Sequence, residues 1–278
     1  MNAPAASSAQ LTDVELDARE LDGSIDHLAE LHDRRADVLL LSNVFTAQEM
    51  ALVAARFNSG ECADLHDTVS EKFRFYSLGR CLDMMNDDLR PYFAQMPRFR
   101  ERCESVFRDT AGYEARVSEV IHRLGGARPT SVPAGPRGEA YMPSTIRHLP
   151  SGGYIPPHCE REQLERPAYH HLKGVIDPLT MTSFYVPLSY GEGGGEIVVY
   201  GFEWSDVQPH MMSHGRSNVE SFIDRCPSTA FRPPVGGMIV FDGGRLFHRV
   251  TPVVDGDRWT IGGFLAASAD RERIHFWS

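Results

Sequence analysis

Four residues of this chain have the types and the order needed to bind a metal ion and an organic acid together. His158 and Glu160 lie two positions apart, His248 follows in a distant segment, and Arg258 comes ten positions after His248. Two imidazoles and one carboxylate can occupy one face of an iron(II) ion and leave the opposite face open. An arginine beyond the second histidine can bind the far carboxylate of a 2-oxo acid. These residue types indicate an oxygen-activating site.

The local sequence predicts how the three metal-binding side chains would converge. On an extended segment, positions i and i+2 point to the same side, so His158 and Glu160 can reach one ion while Cys159 points away. His248 ends an apolar run that begins at Gly237, which predicts a third ligand from a separate strand. Asp242 is an alternative carboxylate ligand. A bare His-x-Glu is common by chance, so the surrounding sequence must carry the argument.

Three segments supply that surrounding sequence. Residues 147–160 (RHLPSGGYIPPHCE) resemble R-Y-x-P-G-x-x-Y-x-x-H-x-D, and residues 183–196 form an apolar run followed by a glycine-rich turn and Glu196. Residues 233–258 fit P-x-x-G-x-x-x-x-F, then H-x-V-x-P-V, then G-x-R. In these segments the chain resembles the iron(II)/2-oxoglutarate-dependent dioxygenases, especially their prolyl-hydroxylase-like branch.

The resemblance implies a fold, cofactors and roles for named residues. The fold would be mainly β, a distorted double-stranded β-helix (jelly roll, cupin-like) flanked by helices. The histidine–glutamate–histidine set would bind Fe(II), leaving a site for dioxygen. Arg258 would bind the 5-carboxylate of 2-oxoglutarate, with Thr260 assisting. Apart from the resemblance, we expect Tyr141, Tyr154 and Tyr185 on strands, where each either packs in the core or brings its hydroxyl within reach of the co-substrate; we assign Tyr141 to the co-substrate.

Glu160 is a departure from the family pattern, because most relatives have aspartate there. The carboxylate is nevertheless retained, which argues against the halogenating relatives, since those replace it with a small residue and let chloride bind. The length, the helical first half and the histidine spacing are most similar to bacterial enzymes that hydroxylate free or N-acylated amino acids.

Three residues near the first histidine are candidates for contacts with the substrate. Arg161 and Arg166 follow the first histidine in a mixed-charge stretch, which is typical of a solvated loop; alternatively, one of them binds a substrate carboxylate at the mouth of the site. We also assign Tyr154 to substrate binding at the mouth of the site; the alternative is that its ring packs in the core. We expect the pocket to be built from the first half of the chain and from segments Pro157–Ile176 and Glu203–Phe222.

Composition excludes several classes of protein. The 278 residues are 42% hydrophobic and 24% charged, which is typical of a globular protein, and the net charge of -10 disfavours nucleic-acid binding. No apolar run is long enough for a membrane span, and Met1–Gln10 reads as a disordered tail without a signal peptide. Five cysteines without a Cys-x-x-Cys motif indicate reduced thiols and a cytoplasmic location.

Hydrophobic patterning predicts one domain over residues 1–278, with a mostly helical support region (1–140) and a second part rich in short strands, typical of a sandwich or barrel. The resemblance implies that this second part (141–270) is the double-stranded β-helix core. In the first half we expect a surface helix at Asp13–Arg35 and a short strand at Val38–Ser42. The Thr46–Glu49 capping box predicts a helix to Phe57. Further helices are expected at Arg90–Phe107 and Tyr113–Leu124. Six later strands are expected at Ser144–Leu149, Thr182–Leu188, Glu196–Tyr200, Gly237–Phe241, Arg249–Val253 and Thr260–Ala266.

The leading hypothesis is a 2-oxoglutarate-dependent dioxygenase that hydroxylates an unactivated C–H bond of a small molecule, an amino acid or a derivative of one. The alternatives are a protein prolyl or lysyl hydroxylase, an inactive cupin-like binding module, and a zinc hydrolase, which would not explain Arg258. The partner is a small-molecule substrate. The oligomeric state is open, a homodimer being one option.

Overall fold

A computed structural model describes residues 11–206, 223 and 226–278. The expected N-terminal tail at Met1–Gln10 and most of the Glu203–Phe222 pocket segment lie outside these residues. Among the described residues, no helix combines the length and the apolar character needed to cross a membrane.

Two β-sheets dominate the molecule. The major sheet has the order β1-β2-β11-β8-β13-β6-β4-β3, with β14 paired to β13 and β5 paired to β14, and the minor sheet has the order β10-β9-β12-β7. Except for β1–β2 and β14–β5, which are parallel, the strand pairs are antiparallel. The strands are β1 Asp13–Asp17, β2 Val38–Ser42, β3 His66–Ser70, β4 Phe75–Leu78, β5 Thr130–Ser131, β6 Thr145–Pro150, β7 Ile155–His158, β8 Thr182–Ser189, β9 Ile197–Glu203, β10 Ser228–Phe231, β11 Met238–Phe241, β12 Leu246–Val250, β13 Asp257–Ala267 and β14 Ile274–Trp277.

The α-helices of the described residues cover the major sheet and support it. They are α1 His27–His32, α2 Ala47–Asn58, α3 Arg90–Val106, α4 Tyr113–Leu124 and α5 His170–Lys173. The capping box at the start of α2 is present, since the Thr46 hydroxyl accepts a bond from the Glu49 N–H while the Glu49 carboxylate accepts one from the Thr46 N–H. The Phe57 ring at the end of α2 stacks on Trp259 of β13 with centroids 5.3 Å apart. The bounds of α2, α3 and α4 agree with the sequence prediction to within one residue at either end.

The first half of the chain is less helical than expected. Asp13–Arg35 does not form one surface helix: it contains β1, which pairs with β2, and the short α1. Strands β3 and β4 extend the major sheet beyond β6. Apolar and polar residues alternate in β1 (DVELD), which is typical of a half-buried strand, but the charged residues and scattered leucines of Asp13–Arg35 also fit a surface helix.

One strand boundary matters for the site. The strand expected at Arg249–Val253 is in fact β12, Leu246–Val250, so His248 lies inside a strand rather than before one. Pro252 lacks the N–H that a ladder needs, and the pairing ends before it. The fold otherwise matches the expected double-stranded β-helix, with a large apolar cluster shared by both halves of the chain.

Candidate active site

The three predicted metal ligands converge between the two sheets. His158 at the end of β7 lies opposite His248 of β12 in the register of the minor sheet, and their ring centroids are 4.2 Å apart. Cys159 is extended and buried, and Glu160 follows it into a short 3₁₀ helix. One ligand atom from each of His158, Glu160 and His248 lies within 4.8 Å of the other two. Residues far apart in sequence thus meet at one point.

Both histidines are oriented by the backbone beside them. The Nδ1–H of His158 donates to the Pro156 carbonyl oxygen at 2.8 Å, and that of His248 donates to the Leu246 carbonyl oxygen at 3.2 Å. A carbonyl can only accept, so Nδ1 carries a proton in each ring and Nε2 faces the cluster, where a bound metal would take its lone pair. Burial, reinforced by the neighbouring His248, lowers the pKa of His158 to about 4, which keeps it neutral at pH 7.

Glu160 is buried and held by two neighbours. Its Oε1 accepts a hydrogen bond from the Ser183 hydroxyl at 2.7 Å and lies 3.1 Å from His248 Nε2, whereas its Oε2 has no partner. Burial acts to raise the pKa of Glu160, but the histidines and the Ser183 bond outweigh it and lower this pKa to about 2. An ionised carboxylate with an unsatisfied buried oxygen, facing two imidazole nitrogens, fits a divalent cation.

A glycine makes room for the longer carboxylate. A Cβ on Gly243, in the turn between β11 and β12, would lie 2.5 Å from Glu160 Oε2 and would also clash with the Ser183 hydroxyl. The Gly243 carbonyl oxygen accepts the Glu160 backbone N–H at 3.0 Å. The extra methylene of glutamate is thus accommodated by an absent side chain. Asp242, the alternative ligand, instead bonds Arg245 at 2.6 Å and lies outside the cluster.

Arg258 has the surroundings expected for a ligand carboxylate. Its side chain is 2% exposed, and its Nη1 donates to the Thr260 hydroxyl at 3.4 Å. Its Nε has no hydrogen-bond partner among the described residues. The Tyr185 ring lies 5.1 Å from the guanidinium, and the buried Tyr185 hydroxyl also lacks a partner. A buried, unpaired guanidinium is costly, so these orphaned donors fit the tail of 2-oxoglutarate.

A cavity of about 580 Å³ joins the two groups of residues. It is lined by the three clustered residues together with Arg258, Thr260, Tyr185 and Ser183, and by apolar side chains such as Phe75, Met84 and Ile155. This volume is typical of small-molecule sites. A second cavity of about 630 Å³, beside α3 and α4, is lined by none of the clustered residues and plays no part in the site.

Three of the expected contacts are not supported by their positions. Tyr141 does not line the cavity: its hydroxyl pairs with His171 Nδ1 at 3.1 Å and its ring packs edge-on against Phe93. Arg161 donates to the Pro178 carbonyl oxygen, outside the cavity lining. Tyr154 packs against Phe73, also outside it. The spacing of these residues in the sequence does not reveal the partners that their side chains find.

Arg166 does line the cavity, but it already has a partner. Its Nη1 donates to the Asp83 carbonyl oxygen at 3.1 Å and lies 3.8 Å from the Asp83 carboxylate. The sequence prediction assigned no role to Ser183 or Arg147, both of which line the cavity. The sequence offered a clue to both residues, because both fall inside the motif segments.

Comparisons with known proteins give the family and the fold of the chain. A family model described as carrier-protein-independent halogenase WelO5 matches residues 11–278. The chain belongs to this family. Its fold is similar to that of an N-substituted L-amino acid dioxygenase from Burkholderia ambifaria AMMD in complex with alpha-KG, at 14% identity, with a TM-score of 0.52 and 90% of each chain covered.

A second solved structure is a non-heme alpha ketoglutarate dependent carbocyclase, SnoK, from nogalamycin biosynthesis. It is 12% identical, with a TM-score of 0.52, and the match covers 90% of this chain and 87% of that one. No curated protein matches the sequence. The predicted class and fold are confirmed: the chain is an iron(II)/2-oxoglutarate-dependent oxygenase with the jelly-roll core.

Proposed function

We propose that this member of the WelO5 family is a hydroxylase of a small organic molecule rather than a halogenase. One atom of dioxygen would enter a C–H bond of the substrate as a hydroxyl group. The other would enter 2-oxoglutarate, which loses carbon dioxide and becomes succinate. Iron supplies the activation of dioxygen, and the protein supplies orientation and a secluded pocket.

The observation that carries the proposal is the position of Glu160. Its carboxylate lies with His158 and His248 at the place where halogenating relatives have a small residue. The Ser183 hydroxyl and the close approach of Gly243 hold it there. With a carboxylate filling the third ligand position, the space that a chloride ion would need on the metal is occupied.

The assigned roles follow from the same geometry. His158, Glu160 and His248 would hold Fe(II) through two Nε2 atoms and one carboxylate oxygen. Arg258 and Thr260 would bind the 5-carboxylate of 2-oxoglutarate. The Tyr185 hydroxyl, rather than that of Tyr141, would contact the co-substrate.

The substrate class rests on the size of the cavity and on the structural relatives. A space of about 580 Å³ suits a small molecule rather than a protein chain. The Burkholderia ambifaria relative is named for N-substituted L-amino acids. We therefore propose an amino-acid derivative as the substrate and give less weight to a peptide.

The test is product analysis in chloride-containing buffer. The protein is incubated with Fe(II), 2-oxoglutarate, air and a panel of N-acylated amino acids, and products are analysed by mass spectrometry together with succinate. We expect one added oxygen, equimolar succinate, and loss of both in His158→Ala. A chlorinated product from the wild-type protein would overturn the proposal in favour of halogenation, the activity that the family name suggests.

The substitution Glu160→Gly is a second test that distinguishes hydroxylation from halogenation. This change opens the third ligand position, so hydroxylation should fall sharply. Iron binding should weaken while 2-oxoglutarate remains held by Arg258. Unchanged hydroxylation by Glu160→Gly would show that Glu160 is not a ligand.

A further inference from the structure

Arg147 is a cationic side chain of the cavity that has no assigned role. It lies on β6, directly opposite Thr260 of β13 in the register of the major sheet. It lines the same cavity as the metal-binding cluster and Arg258. Its side chain is half-buried, and it has no hydrogen-bond or ion-pair partner among the described residues. An unpaired guanidinium in a partly desolvated cavity is costly unless an anion joins it.

The other charged groups around the cavity are already matched. Arg166 faces Asp83, whose carboxylate also accepts a hydrogen bond from the Tyr169 hydroxyl at 2.7 Å. Glu162 lines the cavity but already has an interaction of its own. Arg147 also interacts electrostatically with the Asp83 carboxylate, less strongly than Arg166 does. It is therefore the cation of the described lining that lacks a direct contact partner once Arg258 binds its carboxylate.

The sum of charges in the site with Fe(II) and 2-oxoglutarate bound also favours an anionic partner for Arg147. The positive charge of iron(II) and the negative charge of 2-oxoglutarate cancel, and the carboxylate of Glu160 balances the guanidinium of Arg258. The positive charge of Arg147 is left over. In a low-dielectric cavity such a charge attracts an anionic ligand strongly.

We propose that the organic substrate is an anion and that Arg147 binds its carboxylate beside the metal site. This inference rests on the proposed function, since it names the substrate class of the same cavity. The planar guanidinium suits a bidentate carboxylate pair. The apolar side chains of Phe75, Met84 and Ile155 would contact the hydrocarbon part of the substrate. Anchoring one end at Arg147 fixes which C–H bond faces the metal.

The test uses matched pairs of ligands. The probes are N-acylated hydrophobic amino acids and the primary carboxamides of the same compounds, which differ in charge but scarcely in shape. Binding to the full chain loaded with Fe(II) and 2-oxoglutarate is measured anaerobically by calorimetry, and substrate-stimulated succinate release is measured in air. We expect the acids to bind and the amides to bind at least about 10-fold more weakly, because each lost charged hydrogen bond costs about 1.5–3 kcal/mol.

The variants assign the effect to Arg147. Arg147→Met should weaken binding of the acids by about 10–100-fold and remove the preference over the amides. Arg147→Lys should restore part of the preference for the acids over the amides. The matched control is Arg100→Met, a similarly half-buried arginine that pairs with Glu114 far from the cavity. Thermal unfolding of each variant checks that the fold is retained.

Each contrary result has a distinct meaning. Equal binding of acids and amides, or no binding of any acid by the wild-type protein, would overturn the anionic substrate class. Loss of 2-oxoglutarate affinity in Arg147→Met with unchanged substrate affinity would reassign Arg147 to the co-substrate and overturn the inference. Failure of the wild-type protein to bind Fe(II) and 2-oxoglutarate at all would instead refute the proposed function.

Discussion

At the scale of single residues, the third metal ligand depends on what surrounds it. Glutamate is one methylene longer than the aspartate of most relatives, so its carboxylate needs a fixed position to face the two histidines. The Ser183 hydroxyl holds one oxygen at 2.7 Å, and the missing side chain of Gly243 leaves space for the other. The free oxygen is thereby left without a protein partner.

Removing the Ser183 hydroxyl should loosen this ligand. We expect Ser183→Ala to lower Fe(II) affinity by about 10-fold, the effect typical of groups that orient a metal ligand. The measurement is anaerobic competition with a metal chelator. Ser189→Ala, at the end of the same strand and outside the cavity lining, is the control. Equal Fe(II) affinity in wild type and Ser183→Ala would show that the carboxylate needs no such support.

Arg258 should control the co-substrate and leave the metal alone. Arg258→Met removes the charged donors for the 5-carboxylate, so 2-oxoglutarate affinity should fall by about 100-fold, equivalent to about 3 kcal/mol. Fe(II) affinity should stay within a factor of about two, because Arg258 does not belong to the metal cluster. Absorption of the anaerobic Fe(II)–2-oxoglutarate complex reports both constants. A fall in metal affinity alone would contradict the assignment.

At the scale of elements, α2 shows how the first half supports the site. The helix packs against β8, the strand that presents Ser183 and Tyr185 to the cavity. Its start is fixed by the reciprocal bonds between Thr46 and Glu49. Just before the helix, Phe45 donates its backbone N–H to the Gly236 carbonyl oxygen at the start of β11. The start of α2 is therefore tied directly to the central strands.

Loss of the cap should cost stability. Thr46→Ala leaves the Glu49 N–H without its acceptor, and we expect the free energy of unfolding to fall by about 1 kcal/mol. Urea unfolding measures this change in the free energy of unfolding. Gln48→Ala, an exposed change in the same first turn, should alter the stability by less than about 0.5 kcal/mol. If both variants unfold at the same urea concentration as wild type, the cap contributes nothing.

At the scale of the whole molecule, buried histidines away from the metal cluster make folding sensitive to acid. Burial lowers the pKa of His275 on β14 and of His32 at the end of α1 below the ordinary value of 6.5. The unfolded chain therefore binds protons at a higher pH than the folded protein does. These two histidines therefore contribute a loss of stability as the pH drops through 6.5 toward their lower, folded-state pKa values.

Replacing one of these histidines should reduce that dependence. We expect the metal-free protein to lose stability between about pH 7 and about pH 5.5, and His275→Gln to lose less over the same interval. His32 keeps part of the effect in the variant. Urea unfolding at the two pH values gives the difference, with exposed His170→Gln as the control. A wild-type slope retained in full by His275→Gln would contradict the argument.

The sequence by itself determined the chemistry of the site and most of its framework. Motif spacing brought out the histidine–glutamate–histidine set and Arg258, while capping and periodicity located α2, α3 and α4, because these signals are local. The roles of these side chains as ligands remain predictions that the experiments above address.

Only the tertiary structure decided which other side chains share the cavity. Tyr141 and Arg161 turn away from it, whereas Ser183, Tyr185 and Arg147 enter it from strands β8 and β6. The physical reason is that two separate sheets close around the site. Which side chains meet there depends on the pairing of distant strands, such as Arg147 opposite Thr260, and local sequence does not encode that register.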